Sequence, residues 1–120
     1  MKSDYYALGL DFGTESVRCL AVDIASGEES AIAVSEYLDG VITDKLPGTS
    51  ITLDHNWALQ NPQNWLDSLN EVVHQVLKDG EIQPETVVGI GISFTSSTIL
   101  PTTADGVPLC SLTQWSCEPH

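Results

Sequence analysis

This 120-residue chain predicts an α/β fold with a mixed sheet. Three observations carry that prediction. Three apolar segments of strand length follow one another closely from the N-terminus. A long segment with helical spacing comes next, and a near-continuous apolar run of strand length lies beyond it. Close neighbours joined by short turns give a three-strand antiparallel meander; the helix and the later buried strand complete an α/β layer.

The elements follow in order. Tyr6 to Leu10 reads as the first strand and Val17 to Ile24 as the second. Ser26-Gly27-Glu28 makes a turn, and Ala31 to Tyr37 the third strand. The stretch from Asp39 to Asn61, with Gly40 and Pro47-Gly48, reads as a long surface excursion, a feature uncommon in small domains unless it has a function. Asn61 can cap a helix whose first turn holds Pro62. Trp65, Leu66, Leu69, Val72, Val73, Val76 and Leu77 recur at helical spacing as a core-facing stripe, with Lys78 in the last turn and Gly80 as the stop. Val87-Val88-Gly89-Ile90-Gly91-Ile92 predicts a strand buried on both faces. Asp105-Gly106 predicts a hairpin turn between Ile99–Thr103 and Val107–Leu112. No internal repeat or low-complexity tract interrupts this single domain.

Composition excludes several functions. Hydrophobic residues make up 42% of the chain, enough to build a core. Seventeen acids against four Lys and Arg leave a formal charge of −13. That balance argues against nucleic acid and against an anionic membrane surface, both of which need cations. It also means that an anionic substrate is repelled unless a metal ion or local amides reverse the field. No apolar run reaches the roughly 18–20 residues of a membrane-spanning helix. Met1-Lys2-Ser3-Asp4-Tyr5 lacks the regions of a signal peptide. Cys19, Cys110 and Cys117 are odd in number and widely spaced, which argues against a disulfide framework and against zinc. Reduced cysteines point to the cytoplasm.

Two segments carry candidate chemistry. Leu8-Gly9-Leu10-Asp11-Phe12-Gly13-Thr14-Glu15-Ser16-Val17-Arg18 runs from an apolar strand through an acid and a Gly-Thr turn into a second strand. Such a hairpin offers a carboxylate for a metal shell, backbone N–H groups, a short hydroxyl and one cation. The same pattern also suits an ordinary hairpin. Ser93-Phe94-Thr95-Ser96-Ser97-Thr98 places hydroxyls beyond the C-terminal end of a strand, where α/β sheets present ligand contacts. It equally suits a loop that satisfies its own backbone.

The order of elements, opened by Leu10-Asp11-Phe12-Gly13-Thr14-Glu15-Ser16-Val17-Arg18, resembles the FGGY carbohydrate kinases of the actin-like ATPase superfamily, most closely the ribulokinase branch. Asn56-Trp57-Ala58-Leu59-Gln60-Asn61-Pro62, Gly89-Ile90-Gly91-Ile92 through Thr95, and Ala104-Asp105-Gly106-Val107-Pro108-Leu109-Cys110 extend the likeness over nearly the whole chain. The resemblance implies a ribonuclease H-like lobe, with ATP and Mg²⁺ as cofactors. It further implies phosphoryl transfer to a sugar hydroxyl, that of ribulose in the closest branch, as in arabinose catabolism. By position, Asp11 would stand near the metal through water, Gly13 and Thr14 would face the transferring phosphate with their amides, and Arg18 would steady anionic charge. Thr95, Ser96 and Ser97 would contact the sugar. Such a division suits a reaction in which catalysis is mainly positioning and charge stabilisation.

One departure is Ser93, where the resemblance leads one to expect an acid; it weakens the assignment to ribulose. His55 and Trp57 either border the sugar pocket or pin the excursion, and Trp115 reads as structural. The resemblance also places the catalytic aspartate and the adenosine-binding elements beyond position 120. Residues 1–120 therefore read as the N-terminal part of a first kinase lobe, whose partners are ATP, the sugar and the remainder of the kinase. No catalytic base is expected in this chain, and none of its turnover alone. A non-catalytic lobe acting as sugar sensor or interaction module is the alternative, followed by an actin-like chaperone or filament protein.

Overall fold

The computed structural model describes residues 4–119. The readings made for Met1, Lys2, Ser3 and His120 lie outside the described residues. Strands β1 (Tyr6–Phe12), β2 (Ser16–Asp23) and β3 (Glu29–Glu36) form the expected meander. Helix α1 (Pro62–Asp79) follows, and β4 (Val87–Phe94) joins the other edge of β1 in parallel, so the strand order is β3-β2-β1-β4. The sheet is mixed, as the sequence predicts.

Strand alternation sets the core. Leu8, Leu10, Val17, Cys19 and Ala21 point to the face that α1 covers and are buried there with Tyr37, Val72, Val76 and Ile82. Asp23 closes the β2–β3 turn from a buried position, its Oδ1 accepting from the N–H groups of Ala25 at 2.8 Å and Ser26 at 3.1 Å. Those bonds satisfy a carboxylate that burial would otherwise penalise.

Helix α1 starts where expected. Asn61 Oδ1 accepts from Gln63 N–H at 3.0 Å, and Pro62 occupies the first turn. Its core-facing side is the predicted apolar stripe without Leu66 and with Asn64 and Ser68 added. Asn64, Ser68, Val72 and Val76 face the sheet, while Trp65, Leu69, Val73 and Leu77 are half-buried and Leu66 is exposed. Polar contacts explain how Asn64 and Ser68 can be buried there. Asn64 Oδ1 accepts from Asp39 N–H at 2.9 Å, and Ser68 Oγ donates to Glu36 O at 3.4 Å.

The helix also stops at the predicted Gly80, though not through a left-handed glycine. Gly80 keeps a right-handed backbone, with φ −83°, and the left-handed position falls on Glu81 at φ 52°. Glu81 N–H bonds Lys78 O at 3.2 Å and Ile82 N–H bonds Leu77 O at 2.8 Å, the two closing bonds of a Schellman motif. Glycine is needed at position 80 for closeness instead: a Cβ there would lie 2.7 Å from Ile82 Cδ1 and 3.2 Å from Ala31 Cβ.

Three further expectations change. β4 is not buried on both faces. It is an edge strand, and Val88, Ile90, Ile92 and Phe94 are all exposed because α1 packs over β2 and β3. The predicted hairpin of residues 99–112 shrinks to one bridge, Thr102 to Pro108, followed by a 3-10 turn at Leu109–Ser111. Pro101 and Pro108 lack the N–H groups a longer ladder would use. The excursion of residues 39–61 is more ordered than a loop, with bridges from Ile42 to Leu59 and from Lys45 to Thr52. His55 is exposed at its far end.

Moving the left-handed residue to glycine relieves strain. The Glu81→Gly protein should unfold at higher urea, by about 0.5–1 kcal/mol. Tyr37 supplies a second expectation. Its hydroxyl is buried without a hydrogen-bond partner among the described residues. Burial, then the Asp11 carboxylate, pushes its pKa above the ordinary 10.0, and burial raises that of Cys19 above 9.0. A folded pKa raised in this way gives stability that is complete below the ordinary value and lost as pH climbs through the folded one. Urea midpoints should therefore hold steady to pH 8.5 and fall above pH 9–10. Tyr37→Phe should flatten the upper part of that fall and cost nothing at pH 7, since it removes an unpaired group.

Candidate functional site

The β1–β2 hairpin is closed by Gly13 N–H donating to Ser16 O at 2.8 Å. The Gly13 amide is thus engaged in its own turn and is not the free phosphate donor expected of it. Glycine matters here for space, because a Cβ would stand 3.1 Å from Ser16 O. Thr14 and Glu15 are exposed at the tip. Glu15 O accepts from Tyr37 N–H at 2.8 Å, which anchors the tip to the end of β3.

Sheet register divides the expected residues between two faces. Asp11 pairs with Arg18 on β2 and with Ser93 on β4, so the three stand in a row on the face away from α1. Asp11 and Arg18 are both exposed there. Ser93, the departure from the kinase pattern, is therefore a neighbour of Asp11 on that face. Among the described residues no three His, Cys, Asp or Glu side chains gather as a metal cage. One carboxylate nevertheless fits Mg²⁺, which keeps several waters and takes its other ligands from phosphate oxygens.

On the opposite face the end of β1 meets the hydroxyl cluster. Phe12 O accepts from Thr95 N–H at 3.1 Å and from Thr95 Oγ1 at 3.2 Å. Thr98 Oγ1 donates to Thr95 O at 3.0 Å, tightening the turn after β4. Ser97 holds that turn in the left-handed region at φ 63°, unusual for a side-chain-bearing residue. A cavity of about 310 Å³ opens beside it, lined by Gly13, Thr95 and Thr98 on one side and by Gln60, Trp65 and Leu69 on the other. A wider cleft of about 580 Å³ continues from it past Ser97, Ile42, Leu100 and Trp115.

Gly13 and Thr95 thus share the first cavity, and Ser97 borders the second. Ser96, His55 and Trp57 line neither. Gln60 and Trp65 are the hydrogen-bonding cavity residues to which sequence reasoning gave no ligand role, while Thr98 belongs to the hydroxyl cluster it singled out. The signal for Gln60 was its place immediately before the helix cap, at the mouth of the excursion. Trp65 was hidden within an apolar stripe.

This mixed sheet, with its tight first hairpin and hydroxyl-bearing strand end, matches the first-lobe fold expected from the sequence. Comparison with known proteins agrees. Residues 6–119 match the FGGY family of carbohydrate kinases, N-terminal domain, and the chain belongs to that family. A ribulokinase of Halalkalibacterium halodurans is 43% identical over 115 residues, covering 96% of this chain and 20% of the relative. One of Mycolicibacterium smegmatis is 40% identical over 116 residues, covering 96% and 21%. The chain spans about a fifth of the length of the curated relatives it matches. Among solved structures, a xylulose kinase from Brucella ovis superposes with a TM-score of 0.67 at 22% identity, over 88% of this chain and 20% of that one. A gluconate kinase from Lactobacillus acidophilus gives 0.66 at 19% identity, over 88% and 18%. These likenesses establish a partial N-terminal lobe of the sugar-kinase fold.

The hairpin tolerates little added volume. Gly13→Ala should destabilise the chain by about 1 kcal/mol in urea unfolding, as Ser16 O is forced to yield.

Proposed function

We propose that this chain supplies the phosphate hairpin and part of the sugar pocket of an ATP-dependent ketopentose kinase, ribulokinase-like in its acceptor. Residues 1–120 form the N-terminal part of its first lobe, and the remainder of the kinase brings the second lobe and the catalytic base. The observation that carries this reading is the double hydrogen bond from Thr95 to Phe12 O, which holds the hydroxyl cluster against the hairpin.

The two faces then have separate tasks. Asp11 holds a water of the Mg²⁺ shell on the outer face, and Arg18 beside it steadies anionic charge. Gly13 lets the backbone come close, while the Thr14 amide at the tip meets the phosphate. ATP with Mg²⁺ supplies the phosphoryl group and neutralises much of its charge, which a chain of net charge −13 would otherwise repel. Thr95, Ser96 and Ser97 contact the sugar on the inner side, and the cavity walls of Trp65 and Leu69 exclude water from it. No helix of the described residues is long and apolar enough to cross a membrane. Together with three free cysteines, that supports a cytoplasmic setting, where ATP is plentiful.

The exposed apolar stripe of β4 supports the same reading, because a later part of a kinase five times longer can cover it. The test joins this chain to the portion of the Halalkalibacterium halodurans relative that lies beyond its match. That chimera should release ADP in a coupled assay only when ATP and ribulose are both present, and the 120-residue chain alone should release none. In the chimera, Asp11→Asn should lower kcat at least about tenfold and leave the ribulose KM within about twofold. A larger effect on KM than on kcat would contradict the metal-side role.

A further inference from the structure

Gln60 is held in one orientation by its neighbour on α1. Its Oε1 accepts from Trp65 Nε1 at 2.8 Å. An indole N–H can only donate, so the amide oxygen must face Trp65 and the NH₂ group must face away. That NH₂ group donates to no described residue. Gln60 borders both the 310 Å³ cavity and the wider cleft, so its unspent donors stand at their junction.

The hydroxyls opposite have the complementary character. Thr95 Oγ1 commits its proton to Phe12 O, and Thr98 Oγ1 commits its own to Thr95 O. Both oxygens are left to a ligand as acceptors only. Hydroxyl groups of a sugar can donate to them. A carbonyl oxygen cannot, because it has no proton to give; its match in this cavity is the Gln60 amide.

We propose that Gln60 is a specificity-determining residue, whose Nε2 donates to the carbonyl oxygen of an open-chain ketose while Thr95 and Thr98 accept from the sugar hydroxyls. The inference rests on the kinase reading of this site and adds the functional group that the site selects. Trp65 acts through Gln60 as a positioning residue: it fixes which end of the amide the sugar meets.

Gln60→Glu is the informative change. A carboxylate still offers Trp65 an oxygen but turns the donors that face the cavity into acceptors. In the chimera described above, the unaltered protein should show a lower KM for ribulose than for ribitol, in which a hydroxyl replaces the carbonyl. Gln60→Glu should reverse that order, raising the ribulose KM roughly five- to tenfold or more, with the KM for ATP unchanged. Gln60→Leu should raise the ribulose KM without favouring ribitol. Equal changes for the two acceptors, or a matching change for ATP, would overturn the assignment. If the chimera phosphorylates no sugar at all, the kinase reading fails separately. Gln60 is then judged on the 120-residue chain by ¹⁵N NMR during titration with ribulose. A shift of the Gln60 side-chain NH₂ signals larger than that given by ribitol supports the contact, and unmoved signals reject it.

Discussion

The Phe12 carbonyl is the point on which the candidate site depends. It ends β1, and it receives both the backbone N–H and the hydroxyl of Thr95 from the end of the neighbouring β4. A carbonyl has two lone pairs, so both bonds can form at once. The first extends the parallel β1–β4 pairing by one residue, and the second locks a rotamer. Without them, the turn of residues 95–98 would be free to leave the hairpin. The separation of the Asp11 row from the cavity beside Thr95 follows from the same strand, since successive side chains of β1 point to opposite faces. Asp11 and Phe12 are neighbours in sequence and belong to different surfaces.

The meander and the helix start were legible because their signals are local. Alternation in Leu8, Leu10, Val17, Cys19 and Ala21 set the inner face, and Asn61-Pro62 marked the first turn of α1. Other features depend on partners that no local pattern encodes. An apolar run such as Val87–Ile92 reads the same whether it is covered or stands at an edge. Gly80 marked the stop correctly, but that a side chain there would crowd Ile82 and Ala31, and that the left-handed position falls on Glu81, are tertiary facts with no local signal. At 99–112 the turn at Gly106 formed as expected, and the two prolines shortened what followed.

The site was legible in part. Type and spacing single out Asp11, Arg18 and Thr95 as candidates, and the register shows that they do not share one face of the sheet. The Gly13 donor was misjudged, because a tight turn consumes the very N–H that its glycine makes accessible. Gln60 and Trp65 were missed for a different reason. Their significance lies in a hydrogen bond between side chains five residues apart across a helix start, and a single letter in a sequence does not say which way an amide is turned.

The bare flank of β4 has a consequence for the colloidal behaviour of the chain. Natural sheet edges are blunted by lysine, proline or bulges, and β4 carries no charged residue and no proline along its length. Repulsion between molecules that each carry a formal net charge of −13 opposes the zipping of two such strands. That guard works at a distance of about 10 Å in 0.1 M salt and about 3 Å in 1 M. Brine or acid would weaken it and favour the pairing of two chains edge to edge through β4.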